Sequence, residues 1–108
     1  MLSPRQLFLL NTAQTSPFPR LLEIERAEGM YLYDHSGKSY MDLVSGFAVS
    51  NIGHRHPRVV QAIKDQADKY LHLTVYGEYV QSPQVKFAEK LSSILPDSLN
   101  SVYFVNSG

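Results

Sequence analysis

The segment Val102-Tyr103-Phe104-Val105-Asn106-Ser107-Gly108 is an apolar run that passes directly into a small polar turn. An uninterrupted apolar run is typical of a strand buried on both faces of a parallel sheet. A parallel strand that ends in a Ser-Gly turn usually leads to a helix, whose free N–H groups bind anions. The run therefore predicts the front end of a larger α/β protein. The alternative, an edge strand of a complete small domain, ranks second because such a strand seldom needs to be apolar at every position.

Two amphipathic helices are predicted before this run. Pro57 opens the first, and its apolar stripe is formed by Val59, Val60, Ile63, Ala67, Tyr70 and Leu71. The second begins with Ser82 as the cap and Pro83 at the first helical position, and Pro96-Asp97 ends it. Its predicted buried stripe is Val85, Ala88, Leu91 and Leu95.

Residues 21–43 have the alternating pattern of a small antiparallel meander with three short strands, with a turn at Asp34-His35-Ser36-Gly37. At the N-terminus, Ser3, Pro4 and Gln6 predict a capped short helix, and a proline-rich arm follows it. We therefore expect three parts: an N-terminal helix and arm over 1–20, the meander and the segment after it over 21–56, and the two helices with the apolar run over 57–108.

Composition excludes some classes of protein. The 108 residues contain ten basic and ten acidic side chains and no cysteine, and 44% of them are hydrophobic. The balanced charge gives no sign of a nucleic-acid or anionic-membrane partner, and a thiolate zinc site is impossible. Neither a secretory signal nor an apolar stretch long enough to span a membrane is visible, so a cytoplasmic protein is expected.

Several side chains compete as site residues. Ser107 and Gly108 have the residue types of a phosphate-binding loop, although an ordinary turn can contain the same two residues. His54 and His56 could bind a metal, but the better interpretation is that His54 hydrogen-bonds backbone near Gly53 and that His56-Pro57 caps a helix.

Three aromatic residues of the central segments either shape a pocket or cover the core, with the polar end of each tyrosine in solvent. They are Phe47, Tyr76 and Tyr79. The lysines read as solvated charges rather than nucleophiles.

Several ordered motifs resemble the class III aminotransferases over about residues 21–108. They are Gly29-Met30-Tyr31-Leu32-Tyr33-Asp34, Gly37-Lys38-Ser39-Tyr40-Met41-Asp42-Leu43, Ser45-Gly46-Phe47-Ala48-Val49, Gly53-His54-Arg55-His56-Pro57, Phe87-Ala88-Glu89-Lys90-Leu91 and the terminal stretch 102–108. This family includes the acetylornithine, ornithine and 4-aminobutyrate aminotransferases. The resemblance implies the N-terminal portion of a fold type I pyridoxal phosphate (PLP) enzyme, which acts as a dimer or higher oligomer. It also implies that 21–56 contains an active-site-edge segment and that 57–108 is the truncated start of the large cofactor-binding domain.

The resemblance also implies roles for individual residues. Ser107 and Gly108 match the start of the family's phosphate-binding loop, and Phe47 matches a position that lines the substrate entrance. Either Tyr76 or Tyr79 matches a further pocket position. The small-molecule partners implied are an amino donor and a 2-oxo acid. The family's Schiff-base lysine, the acidic partner of the pyridine nitrogen and the carboxylate-binding arginine lie downstream, so the resemblance implies that this segment holds no catalytic residue and is inactive alone. The rival hypothesis is a non-catalytic interaction or dimerisation domain derived from the same fold.

Overall fold

The structure is a computed structural model that describes residues 1–74 and 77–107. The chain divides into two compact units, Met1–Lys69 and Tyr70–Gly108. The division expected from the sequence, with a large domain that starts at residue 57, concerns a longer protein and stays a prediction.

Helix α1 spans Pro4–Asn11 and begins with the predicted capping box. The Ser3 hydroxyl accepts a hydrogen bond from the Gln6 backbone N–H at 3.3 Å, and the Ser3 N–H donates to Gln6 Oε1 at 2.8 Å. These two bonds satisfy donors that the first turn of a helix otherwise leaves open. Arg5 then forms an ion pair with Glu23, with Nε and Oε1 3.2 Å apart.

The predicted meander is confirmed as a three-stranded antiparallel sheet in the order β1-β2-β3. Its strands are β1 (Ile24–Glu28), β2 (Tyr31–Asp34) and β3 (Ser39–Met41). In the register of the sheet, Leu32 lies opposite both Ala27 and Tyr40. The turn between β2 and β3 is closed by Asp34, whose Oδ1 accepts from the N–H groups of Ser36 and Lys38 at 2.9 and 3.1 Å.

A single short turn, α2 (Ser45–Ala48), follows the sheet, and two longer helices, α3 (Pro57–Ala67) and α4 (Ser82–Ser92), come after it. Both longer helices have proline in the first turn, as predicted. The predicted cap of α4 is wrong, because Gln81 occupies the N-cap position and no side-chain cap bond forms. Gln81 is instead buried, and its Nε2 donates to the Thr74 carbonyl at 3.1 Å.

Both longer helices end earlier than predicted. Helix α3 ends before Tyr70 and Leu71, with Asp68 as its C-cap. Helix α4 ends before Leu95, and the Ser93 hydroxyl donates to the Lys90 carbonyl at 2.8 Å. A local hydrogen bond of this kind satisfies a terminal carbonyl and competes with continuation of the helix.

The apolar run 102–105 pairs with no strand among the described residues. The predicted strand is therefore not formed, because a strand needs a neighbour to accept and donate its ladder hydrogen bonds. The run contacts α4 instead, with the ring centroids of Phe87 and Phe104 5.8 Å apart. The remaining elements agree with the predicted N-terminal portion of an α/β fold.

No residue of the apolar stripes that the sequence assigns to a buried core is fully buried, and several are exposed. Val59 and Ile63 of α3 and Val85 of α4 are all at least 44% exposed. Across the described residues no hydrophobic side chain is fully covered. The reason is that the only close packing between two helices or strands in that part of the chain is within the sheet.

Candidate functional site

The segment after β3 forms a left-handed turn, defined here as Ser45–Ala48. All four of its residues have positive φ: Ser45 at 53°, Gly46 at 63°, Phe47 at 59° and Ala48 at 64°. Hydrogen bonds close it, because the N–H groups of Val49 and Ser50 both donate to the Ser45 carbonyl, at 2.9 and 3.0 Å. L-residues other than glycine rarely adopt this conformation, and consecutive ones do so at a cost of about 1–2 kcal/mol each. Strain of this kind clusters at functional sites.

Asp42 anchors the start of the left-handed turn. Its Oδ1 accepts hydrogen bonds from the N–H groups of Val44 and Ser45, at 3.1 and 2.9 Å. Its Oδ2 lies 2.7 Å from Nε2 of His54. The hydrogen bond from His54 and then those from the backbone hold the pKa of the Asp42 carboxyl below its ordinary value, because each of them stabilises the charged form. A carboxylate only accepts, so Nε2 of His54 carries the hydrogen.

This pair is largely shielded from solvent, with the Asp42 side chain 11% exposed and the His54 side chain 21% exposed. The sequence predicted a backbone partner for the His54 side chain near Gly53, and that prediction is wrong. The backbone of His54 is what pairs, because its N–H and carbonyl exchange hydrogen bonds with Gly29 at 2.7 and 3.0 Å. The Asp42–His54 pair therefore joins the two ends of residues 43–53, and the backbone bridge holds His54 against Gly29.

His56 occupies the N-cap position of α3, as predicted, but its side chain makes no cap hydrogen bond. Its Nδ1 is enclosed and has no hydrogen-bond partner within the described ranges. The ring lines a shallow, mainly apolar groove of about 600 Å³ together with Ile52, Val59 and Ile63. His54 pairs with Asp42, and no cluster of three or more His, Asp or Glu side chains suited to a metal occurs in the part of the chain that the structure describes.

The structure places the predicted substrate-facing residues in different units. Phe47 belongs to the first unit, where it projects from the left-handed turn and is 90% exposed. Tyr79 belongs to the second unit, is 60% exposed and borders a cavity of about 270 Å³. Val102, Tyr103 and Phe104 of the apolar run line the same cavity. Tyr76 lies outside the described residues.

Ser107 is exposed at the end of the described chain. None of the hydrogen bonds between described residues involves its hydroxyl, which is therefore available to donate to a phosphate oxygen. Gly108, its predicted partner, lies outside the described residues. The assignment of Ser107 and Gly108 to the PLP phosphate stays a prediction.

Comparison with known proteins gives the family. The model of the family described as "Aminotransferase class-III" matches residues 12–108. Acetylornithine aminotransferase from Archaeoglobus fulgidus is 45% identical over 85 residues, which are 79% of this chain and 22% of that protein. This chain therefore belongs to the class III aminotransferase family, and it spans about a fifth of the length of the relatives that it matches.

Solved structures agree with this assignment. An adenosylmethionine-8-amino-7-oxononanoate aminotransferase from Methanocaldococcus jannaschii superposes with a TM-score of 0.74 at 33% identity, over 86% of this chain and 22% of that one. A taurine:2-oxoglutarate aminotransferase from Bifidobacterium kashiwanohense, solved with PLP and glutamate, gives a TM-score of 0.72 at 31% identity, over 82% of this chain and 20% of that one. The fold predicted from the sequence is thereby confirmed as the N-terminal portion of a PLP-dependent aminotransferase.

The pairing of Asp42 with His54 is the feature that sequence reasoning missed. The two residues are 12 positions apart, and Asp42 was predicted only as one of the alternating positions of the meander over 21–43. Two signals could have revealed it. Both residues lie in the motifs that carry the family resemblance, and the segment between them contains two glycines, Gly46 and Gly53, which allow the chain to turn back.

Proposed function

We propose that this chain forms the N-terminal part of a PLP-dependent aminotransferase that moves an amino group from an amine or amino-acid donor to a 2-oxo acid. The observation that carries the proposal is the family match over residues 12–108, which includes every motif described above. PLP, when bound, supplies the electron sink that such a transfer needs. The catalytic groups that act on it are expected elsewhere in the protein.

Within this segment, Ser107 and Gly108 are proposed to hold the cofactor phosphate. The Ser107 hydroxyl donates to a phosphate oxygen, and a glycine at position 108 lets the backbone N–H approach closely. Phe47 is proposed to line the substrate entrance, where its exposed ring forms an apolar wall. Either Tyr76 or Tyr79 is proposed to face the substrate as well.

The assembly proposed is a cytoplasmic homodimer, which follows the family expectation. Two findings are compatible with it. No described helix is both long and apolar enough to cross a bilayer. The apolar faces of α3 and α4 are uncovered, and each could pack against further parts of the protein.

The experiment is PLP binding to the purified protein that contains this chain, with Ser107→Ala compared against the matched surface variant Ser101→Ala. Loss of a hydrogen bond to a charged group costs about 1.5–3 kcal/mol, so we expect the dissociation constant of PLP to rise by about one to two powers of ten for Ser107→Ala. Ser101→Ala should leave it unchanged. Gly108→Val should weaken PLP binding too, because a branched side chain blocks close approach to the backbone.

Unchanged affinity in both Ser107→Ala and Gly108→Val would reject the phosphate-site assignment. A protein that binds no PLP at all but associates stably with a partner chain would favour the rival interaction domain.

A further inference from the structure

We propose that Asp42 and His54 are positioning residues which hold the left-handed turn and so fix how Phe47 faces the substrate. The two side chains are called the Asp42–His54 clamp below. The inference rests on the proposed function for the role of Phe47, and it adds a determinant of donor selection that does not itself touch the donor.

The turn needs a restraint because its backbone is unfavourable. Ser45, Phe47 and Ala48 have a Cβ atom and yet adopt positive φ, and only Gly46 adopts it freely. Such conformations persist only where the surrounding structure over-determines them. Without a restraint, these residues would relax to ordinary backbone conformations, and the ring of Phe47 would move.

The clamp supplies that restraint from one carboxylate. Oδ1 of Asp42 holds the N–H groups that lead into the turn, and Oδ2 holds His54, beyond the end of the turn. The two side chains are 11% and 21% exposed, so water competes weakly for the hydrogen bond between them. The clamp therefore joins the entry and the exit of the segment at one point.

The side chain of Phe47 forms no contact that would hold its ring in place among the described residues. Its side chain is 90% exposed, and no ring contact with another described aromatic residue is formed. The position of the ring is consequently set by the backbone of the turn. A change in the clamp should reach the substrate through Phe47 while the sheet and α3 stay unaltered.

The test uses the PLP-loaded protein that contains this chain and measures two quantities. The first is amide hydrogen exchange in peptides that cover residues 44–52, with peptides from α3 as an internal reference. The second is the ratio of kcat/KM values for ornithine, acetylornithine and 4-aminobutyrate. The variants are Asp42→Ala, Asp42→Asn and His54→Ala. Asp34→Ala is the matched control, because Asp34 also accepts two turn N–H groups but closes the β2–β3 turn.

We expect Asp42→Ala to speed exchange over 44–52 by about tenfold or more, since a factor of ten corresponds to the loss of one or two net hydrogen bonds. His54→Ala should have a smaller effect, because Asp42 then keeps its bonds to Val44 and Ser45. Asp42→Asn should resemble His54→Ala, because its amide oxygen still accepts both N–H groups while its amide nitrogen, itself a donor, cannot accept from Nε2 of His54. The donor ratios should change in the same order, and Asp34→Ala should alter neither quantity.

Unaltered exchange over 44–52 in Asp42→Ala and His54→Ala would overturn the inference. Faster exchange with unchanged donor ratios would overturn it as well, provided that Phe47→Tyr does change those ratios. Should Phe47→Tyr leave the ratios unchanged, the substrate-facing role of Phe47 fails, and the exchange rates alone confirm or reject the clamp. If Asp42→Ala does not fold, His54→Ala and Asp42→Asn carry the same comparison.

Discussion

At the residue scale, Gly37 and Gly53 have nearly the same φ, so substitution of each by alanine separates the cost of backbone strain from the cost of a steric clash. At Gly37, with φ +84°, an added Cβ would have no other atom within 4 Å, whereas at Gly53, with φ +85°, it would lie 3.1 Å from the Gly29 carbonyl oxygen. We expect Gly37→Ala to lower the free energy of unfolding by about 1–2 kcal/mol through backbone strain alone. Gly53→Ala should cost about 1 kcal/mol more, because the added methyl overpacks the bridge between Gly29 and His54. Denaturant unfolding of the protein that contains this chain measures both.

Equal losses for the two variants would contradict this account of Gly53, since they would show that the Gly29–His54 bridge yields without cost. The comparison is internally matched, because both positions are glycines in the same unit and both have φ in the left-handed region.

Asp34 is expected to titrate far below an ordinary aspartate. The Ser36 hydroxyl donates to its Oδ1 at 2.7 Å and the Tyr40 hydroxyl to its Oδ2 at 2.9 Å. These bonds lower the pKa of Asp34 from 3.8 to about 2, with Ser36 the largest cause. A depressed folded-state pKa means that the stabilisation is fully present above pH 3.8 and is lost as the pH falls towards about 2. Carboxyl carbon chemical shifts measured against pH by NMR give the value.

Two variants test the cause of that shift. Ser36→Ala should raise the pKa of Asp34 more than Tyr40→Phe does, because the serine bond contributes more. If the pKa of Asp34 is unchanged in Ser36→Ala, the hydrogen bond from the Ser36 hydroxyl is not the main cause of the lowered pKa.

Phe47 carries the prediction on specificity. An apolar ring cannot pair with a charged ammonium group, and burial of one without a partner is unfavourable. We therefore expect a donor whose group near Phe47 is uncharged or a methylene chain, rather than the second amine of ornithine. Phe47→Tyr adds a hydroxyl to a ring of nearly the same size. It should shift the kcat/KM ratio towards donors that can hydrogen-bond there, by about 1 kcal/mol or somewhat more.

Steady-state kinetics with ornithine, acetylornithine and 4-aminobutyrate measure this shift in both proteins. An identical rank order and identical ratios would show that Phe47 serves packing only. The corresponding control is Phe18→Tyr, which adds the same hydroxyl to an exposed ring on the proline-rich arm and should leave the ratios unchanged.

At the scale of elements, local chemistry made the starts of helices and the sheet predictable. Helix starts depend on residues at the start itself: a proline in the first turn marks all three longer helices, at Pro4, Pro57 and Pro83, and Ser3 caps the first. The alternation over 21–43 defines the meander. The ends of α3 and α4 were less predictable, because they depend on which terminal carbonyls find a local partner. Ser93 provides such a partner three residues before Pro96.

The two elements that differ most from expectation depend on distant parts of the chain. The left-handed turn was not predictable from Ser45, Phe47 and Ala48, since none of them favours positive φ, and its restraint comes from Asp42 and His54. The run 102–105 has the composition of a buried strand, but a strand also requires a neighbour, which no described residue supplies. Composition predicts which segments can form a strand, whereas pairing decides whether they do.

At the scale of the whole molecule, uncovered apolar surface is the dominant feature. Leu43, Leu71, Val80 and Tyr103 are all more than 80% exposed, and the described residues form no buried apolar core. A polypeptide of these 108 residues alone should therefore associate or remain loosely packed, because many of its large apolar side chains are exposed and exposed apolar surface favours association. We expect broad, dye-binding thermal transitions and no amino transfer from any donor. A sharp two-state transition in a monomer, or measurable turnover by this polypeptide, would contradict the expectation.

The central claim is that the protein built on this segment transfers amino groups with PLP, and its most direct test follows the nitrogen itself. The measurement is the transfer of isotopically labelled nitrogen from acetylornithine, ornithine or 4-aminobutyrate to 2-oxoglutarate by the purified protein that contains this chain. We predict labelled glutamate with at least one donor, its loss when PLP is removed and its return when PLP is added. A protein that retains PLP but forms no labelled glutamate with any of these donors would contradict the claim.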